Sequence, residues 1–108
     1  MKINEYQQVA ISMAIYPNDG KISYLSLALC GEAGEVADKV KKVLRDKDGC
    51  YSEDDKQGIA LELGDCLWYI ANLASAIGYP LDDIAEMNRG KIEGRVRRGT
   101  LHGSGDER

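Results

Sequence analysis

The chain has 108 residues, of which 44% are hydrophobic and 30% charged, a composition typical of one soluble globular domain. It contains no apolar run near the roughly 18 residues that a membrane span needs, and no secretory signal opens it. A formal net charge of −4 argues against a general nucleic-acid binder. We therefore expect a cytoplasmic domain that binds neither a membrane nor a nucleic-acid polymer.

The hydrophobic pattern predicts helices and no strand, beginning with two helices before the middle of the chain. Asn4 is the expected N-cap of a first helix, which runs to about Tyr16 and is broken by the turn that Pro17 opens. The second helix is expected from about Ile22 to about Leu44. Its apolar stripe has the spacing of an amphipathic helix and consists of Leu25, Leu29, Val36, Val40 and Val43.

The third helix is expected from about Glu53 to Ile77. Ser52 followed by Asp55 resembles a capping box, although glutamate or glutamine is the usual fourth residue. The main apolar stripe of this helix consists of Ile59, Leu63, Cys66, Ile70, Leu73 and Ile77.

Gly78 is expected to end the third helix, and Pro80 suits the first turn of a fourth helix that reaches about Arg97. Residues 1–98 would then form one helical domain. Residues 99–108, rich in glycine, would form a flexible tail.

Two acidic pairs, Glu32 with Glu35 and Glu62 with Asp65, lie in the second and third helices. Spacing of i, i+3 places both carboxylates of a pair on one side of a helix, where like charges repel by a few tenths of a kcal/mol. Glycines, each costing about 1 kcal/mol relative to alanine, adjoin the acids at positions 31, 34 and 64. Solvated surface acids are the alternative interpretation, but two copies at stripe edges favour a cation site.

The residue types restrict which cation such a site would hold. Carboxylate oxygens alone suit hard divalent ions, so Mg²⁺ is the expected occupant and Mn²⁺ also fits. A di-iron centre in a helical bundle uses histidine ligands, and the one histidine here, His102, lies in the expected tail. Zinc is disfavoured for the same reason, because neither histidines nor clustered cysteines accompany the acids.

The fourth helix is basic: from Arg89 to Arg98 it carries five cations against one anion, leaving about −8 on the rest of the chain. Asn88, Lys91 and Arg95 share one helical face, where an amide and cations can contact successive phosphates. The alternative is a solvated basic face, since cations favour the end of a helix.

A second apolar side of the third helix carries Leu61 and Trp68, which favours contact with another subunit. Trp68 is interpreted as a core or interface residue rather than a platform for a nucleobase.

The order of these motifs resembles the MazG-like nucleotide pyrophosphohydrolases of the all-α NTP pyrophosphatase superfamily. The similarity covers the Glu-x-x-Glu pair, a gap of 26 residues, the Glu-x-x-Asp pair and the Asn-x-x-Lys-x-x-x-Arg helix. It also includes the Asn-Glu-Tyr-Gln segment that begins at Asn4 and the Gly-Ser-Gly-Asp tail, and so spans nearly the whole chain. The resemblance implies a bundle of four to five helices that is completed by oligomerisation, as a homodimer or homotetramer.

The resemblance also implies Mg²⁺-dependent cleavage of a nucleoside triphosphate between its α and β phosphates. Glu32, Glu35, Glu62 and Asp65 would be the metal ligands, and Glu32 or Glu35 would act as the catalytic base. Asn88, Lys91 and Arg95 would bind the substrate. Asp38 would support the acidic row from the second helix. A non-catalytic nucleotide-binding protein or a helical interaction module is the alternative function.

Overall fold

The computed structural model describes all 108 residues and contains four α-helices and no strand. The helices are α1 (Ile3–Ser12), α2 (Lys21–Asp46), α3 (Glu53–Ala76) and α4 (Leu81–Arg98). The expected all-α class is therefore confirmed, with four helices. None of them is both long and apolar enough to cross a membrane.

Helices α2 and α3 form a long antiparallel hairpin. Lys47 Nζ lies 2.8 Å from the Asp55 carboxylate near the loop, and Lys39 Nζ lies 3.6 Å from Glu62 further along, so the two helices run in opposite directions. Leu25 is fully buried and Val43 nearly so. The rest of the predicted α2 stripe is half-buried and consists of Leu29, Val36 and Val40.

The predicted α3 stripe is only partly correct, because Leu63 is 54% exposed and Ile77 50% exposed. One side of α3 packs on α2, whereas a different side buries Ala71 and Ala74 against α1 and α4. A single stripe along the whole helix cannot describe two contact faces. Ile77 also lies one residue beyond the helix, at its C-cap.

A second, small core joins α1, the end of α3 and the start of α4. It consists of Ala10, Ala71, Ala74 and Leu81, with Tyr6, Trp68, Ile70 and Ile84 packed against it. Trp68 therefore belongs to the intramolecular core, while Leu61, assigned with it to a second apolar side, is 66% exposed.

The boundaries of α1 differ from the sequence expectation at both ends. Lys2 precedes the helix, and its backbone N–H donates to the Glu5 carboxylate over 3.4 Å. The helix ends at Ser12, whose hydroxyl donates to the Val9 carbonyl, well before Tyr16. Such local side-chain bonds compete with helical ones, and a residue preceding proline, here Tyr16, is disfavoured in the helical conformation.

Asn4 is not the N-cap of its own helix, as the sequence suggested, but caps α4 instead. Its side-chain oxygen accepts a hydrogen bond from the Asp82 N–H at 2.8 Å. Gln7 accepts from the Leu81 N–H at 2.9 Å and donates to the Ala71 and Tyr79 carbonyls. Pro80, which immediately precedes α4, has no side-chain acceptor to offer.

The capping box of α3 is present as the sequence indicated. The Ser52 hydroxyl accepts from the Asp55 N–H at 3.1 Å, and the Asp55 carboxylate accepts from the Ser52 N–H at 2.9 Å. The hydrogen bond from Lys47, followed by those from Ser52, lowers the pKa of Asp55 to about 2.

The C-terminal residues fold back along α4 after Gly99, which has a φ of 70°. Arg95 donates to the carbonyls of Gly105 and Asp106. Arg108 donates to the carbonyls of Thr100, Leu101 and Gly105. The flexibility of this tail stays a prediction.

Candidate metal centre

Three carboxylates converge where the middle of α2 faces the middle of α3. Three carboxylate oxygens lie within 4.8 Å of one another, one from each of Glu32, Glu62 and Asp65. Glu32 and Glu62 are half-buried, because they lie on the faces that the two helices turn toward each other, and Asp65 is exposed. The acidic motifs of the two helices thus form one cluster.

Glu35 lies one turn after Glu32 on α2 but stays outside this group. Its side chain is exposed at the edge of the hairpin. The structure therefore brings together three of the four acids singled out in the sequence and leaves the fourth beside them. Its charge still reaches Glu32, whose pKa it helps to raise.

Electrostatics make the cluster a place where a cation would be stabilised. Burial, and then the negative charges of Asp65, Glu62 and Glu35, raise the pKa of the Glu32 carboxyl. Burial and repulsion each disfavour the ionised form of Glu32. A divalent ion between the carboxylates would replace their mutual repulsion by attraction to the ion. With oxygen as the only donor type, the residues fit Mg²⁺ or Mn²⁺ better than zinc.

One lysine reaches the cluster. Lys39 Nζ lies 3.6 Å from Glu62 Oε1, and no other cation of the chain pairs with Glu32, Glu62 or Asp65. The charge of three carboxylates is therefore only partly offset.

Asp38 does not extend the acidic row, contrary to the sequence expectation. Its carboxylate pairs with Lys41 at 2.9 Å and Lys42 at 2.8 Å on the surface of α2. Hydrogen bonds from Lys42 and Lys41 lower the pKa of Asp38 to about 2. Two lysines within one helical turn thus draw this carboxylate away from the cluster.

Two tyrosines, Tyr6 and Tyr69, lie near the cluster. Burial, and then the charge of Asp65, raise the pKa of Tyr6. Burial, followed by the effects of Tyr24, Glu32 and Asp65, raises the pKa of Tyr69. The sequence assigned Tyr6 no role at the site, and the packing of α1 on α3 brings it near Asp65.

Asn72, one further turn along α3, is fully buried. Its amide donates to the Trp68 carbonyl, and its side-chain oxygen accepts from the Tyr16 hydroxyl at 3.4 Å. The ring of Tyr16 stacks on that of Tyr24, with centroids 6.3 Å apart. These contacts tie the loop after α1 to the end of the hairpin beside the acids.

The three glycines near the acids have open space above them. A Cβ atom built on Gly31, Gly34 or Gly64 would meet no other part of the chain within 4 Å. Packing within one chain therefore does not require glycine at these positions.

The basic residues of α4 lie apart from the acidic cluster within one chain, since α4 packs on α1 and α3 but not on α2. Asn88 and Lys91 line a cavity of about 280 Å³ with Ile84 and Met87, and none of the four acids line it. Arg89, on another face, is held by Glu86 and Glu93.

Arg95 is the least accessible of the predicted phosphate-binding residues, at 5% exposure. Its guanidinium donates to two tail carbonyls, and its Nε has no hydrogen-bond partner. The Asp106 carboxylate lies 3.5 Å from Lys91 and 3.6 Å from Arg95. The tail thus occupies one terminal nitrogen of the Arg95 guanidinium and brings a carboxylate close to Lys91.

The fold and the cluster together define an all-helical protein with a candidate site for a divalent metal between two long helices. Residues 21–99 match the MazG nucleotide pyrophosphohydrolase domain, so the chain belongs to that family. Members of this family generally depend on divalent metals.

The chain is also 42% identical over 114 residues to the Gene 37 protein of Mycobacterium phage L5, with all of both chains covered. No solved structure matches it. The family match begins with α2 and ends just after α4, so it contains the acidic pairs and the basic residues of α4, while α1 and the tail lie outside it.

Proposed function

We propose that this protein is a Mg²⁺-dependent nucleoside triphosphate pyrophosphohydrolase of the cytoplasm. It would cleave a ribo- or deoxyribonucleoside triphosphate between the α and β phosphates, releasing the monophosphate and pyrophosphate. The observation that carries the proposal is the convergence of Glu32, Glu62 and Asp65 within 4.8 Å across two helices. Membership of the MazG family supplies the reaction class.

Glu32, Glu62 and Asp65 would hold the metal, with Glu35 as a further ligand at the edge. Mg²⁺ is the expected ion, and Mn²⁺ has the same preference for oxygen. When bound, such an ion neutralises phosphate charge and makes water a better nucleophile at neutral pH.

The chain's own carboxylates would manage the proton of the attacking water. Glu35 lies outside the tight group of three acids and so keeps lone pairs free to accept a proton. Glu32 is the other candidate, since burial and its acidic neighbours raise its pKa above that of an ordinary glutamate.

Asn88, Lys91 and Arg95 would contact the phosphates and stabilise charge on the departing pyrophosphate. Lys91, with 41% of its side chain exposed, is more accessible than Arg95. Arg95 would become available only if the tail carbonyls of Gly105 and Asp106 release it.

A homodimer or homotetramer would complete the fold. The chain exposes 7592 Å², whereas a compact monomer of this mass exposes about 5,900 Å². Its radius of gyration is 16.7 Å, against about 13 Å for a compact domain of this length. Leu27 and Leu61, 74% and 66% exposed on the hairpin, are side chains that a second copy would cover.

The test is a panel of ribo- and deoxyribonucleoside triphosphates with Mg²⁺, analysed for pyrophosphate and orthophosphate separately. We expect pyrophosphate in equal amount to monophosphate, no product with a chelator, and none from the Glu62→Gln variant. Release of orthophosphate instead would contradict cleavage between the α and β phosphates. Triphosphate binding without turnover across the panel would favour the non-catalytic alternative.

A further inference from the structure

Lys39 is placed to interact with the acidic cluster, although 42% of its side chain is exposed. It lies seven residues after Glu32, two turns along the same face of α2. Its Nζ is 3.6 Å from Glu62 Oε1, and the Glu62 side chain is only 18% exposed. The lysines two and three residues further on pair instead with Asp38, outside the cluster.

Gly58 gives Lys39 the space for this contact. It lies one turn before Glu62 on α3, and a Cβ atom built there would be 3.6 Å from Lys39 Nζ and 3.7 Å from its Cδ. The lysine stem therefore lies along bare α3 backbone, and its ammonium reaches the side of Glu62. A long side chain at position 58 would occupy that path.

We propose that Lys39 is an internal counter-cation of the metal centre. This inference rests on the proposed metal site and concerns its affinity. Without metal, the ammonium offsets the charge of Glu62 and limits repulsion across the hairpin. A divalent ion competes with it for Glu62 and is repelled by its positive charge, so Lys39 lowers the affinity of the site for metal.

The inference predicts opposite effects on the two states of the protein. Lys39→Met retains a long side chain with good helix propensity but removes the charge. Without metal, this variant should unfold at a lower temperature than the wild type. Its affinity for Mn²⁺ should rise about three- to tenfold, because a positive charge a few ångströms from the ion is gone. If Lys39 merely supported the fold, its replacement would lower both the stability of the metal-free protein and the affinity for Mn²⁺.

The experiment is a titration of the full-length protein with Mn²⁺ alone, followed by calorimetry, with thermal unfolding recorded in chelator and in Mn²⁺. Lys41→Met is the matched control: it removes one charge from the same helix, on the side away from the cluster, where Lys41 pairs with Asp38. Lys39→Gln repeats the charge removal with another side chain, and Lys39→Arg should retain nearly the affinity of the wild type.

Tighter Mn²⁺ binding in Lys39→Met and Lys39→Gln, with Lys41→Met unchanged, would support the proposal. Unchanged or weaker binding in both Lys39 variants would overturn it while leaving the metal site in place. If the wild type binds no Mn²⁺, or if Glu62→Gln binds it equally well, the metal site itself fails, and the inference fails with it.

Discussion

Replacing Glu32 by glutamine should stabilise the metal-free protein, because it removes one of three carboxylates that share a small space. The substitution keeps the shape of the side chain and its position between α2 and α3. Glu35→Gln, one turn later on the same helix, is the matched control, since its carboxylate lies outside the group.

The expected size follows from the distances. Two charges 4.8 Å apart in water repel by about 0.9 kcal/mol, and Glu32 has two neighbours, Glu62 and Asp65, within that distance. Screening by salt, side-chain motion and the partial compensation of Glu62 by Lys39 reduce this sum, so we expect a gain of about 1 kcal/mol. For a domain of this size that raises the melting temperature by about 4–8 °C. Glu35→Gln should gain only a few tenths of a kcal/mol.

The assay is thermal and urea unfolding at low ionic strength, in chelator and then in Mg²⁺, at one protein concentration. In chelator the order of stability should be Glu32→Gln, then Glu35→Gln, then the wild type. In Mg²⁺ the wild type should gain most, because it retains all its ligands. If Glu32→Gln is no more stable than Glu35→Gln in chelator, the carboxylates do not repel as the geometry requires.

Three further outcomes are expected. Because the folded state raises the pKa of Glu32, ionising this group costs stability, so the metal-free wild type should lose stability as pH rises upward from about 4.5. Unfolding at several pH values checks this, and an equal slope in Glu32→Gln would contradict it. Lys91→Ala should weaken binding of a triphosphate by about 1.5–3 kcal/mol and of the monophosphate less, with Arg97→Ala, on another face of α4, as control. Equal losses for both ligands in calorimetry would mean that Lys91 does not contact the polyphosphate. Leu61→Glu should shift the protein toward monomer in sedimentation, whereas Ile15→Glu, at a position 94% exposed in a loop, should not. A wild type that already sediments as a monomer of 11.9 kDa would refute the proposed assembly.

The sequence predicted the elements of the hairpin well because their signals are local. The Ser52–Asp55 capping box and the Leu25 to Val43 stripe depend on neighbours within a few turns, and both are present. The acidic pairs were found from spacing alone. That Glu35 stays outside the tight group could not be predicted, since it depends on how the two helices rotate against each other.

Errors occurred where a residue serves an element distant in sequence. Asn4 looked like the cap of the helix that contains it, yet it caps α4, 78 residues away. Arg95 is buried under the tail, a contact that the helical spacing could not reveal, and its role as a phosphate ligand stays a prediction. Leu63 followed the period of α3 but is 54% exposed, because that helix packs on α2 with one side and on α1 and α4 with another.

The caps that α1 provides for α4 couple the two ends of the chain. The first N–H groups of α4 have Asn4 and Gln7 as acceptors, so undocking α1 would leave them unpaired and expose Ala10 and Leu81 together. The amides of α1 and α4 should therefore exchange with solvent deuterium as one cooperative unit. The hairpin of α2 and α3 is held by contacts closer in sequence, so it should unfold and refold independently of α1 and α4. The carboxylate cluster would then stay intact when α1 and α4 unfold together. As heat or denaturant increases, the protein would lose its affinity for phosphate before its affinity for metal.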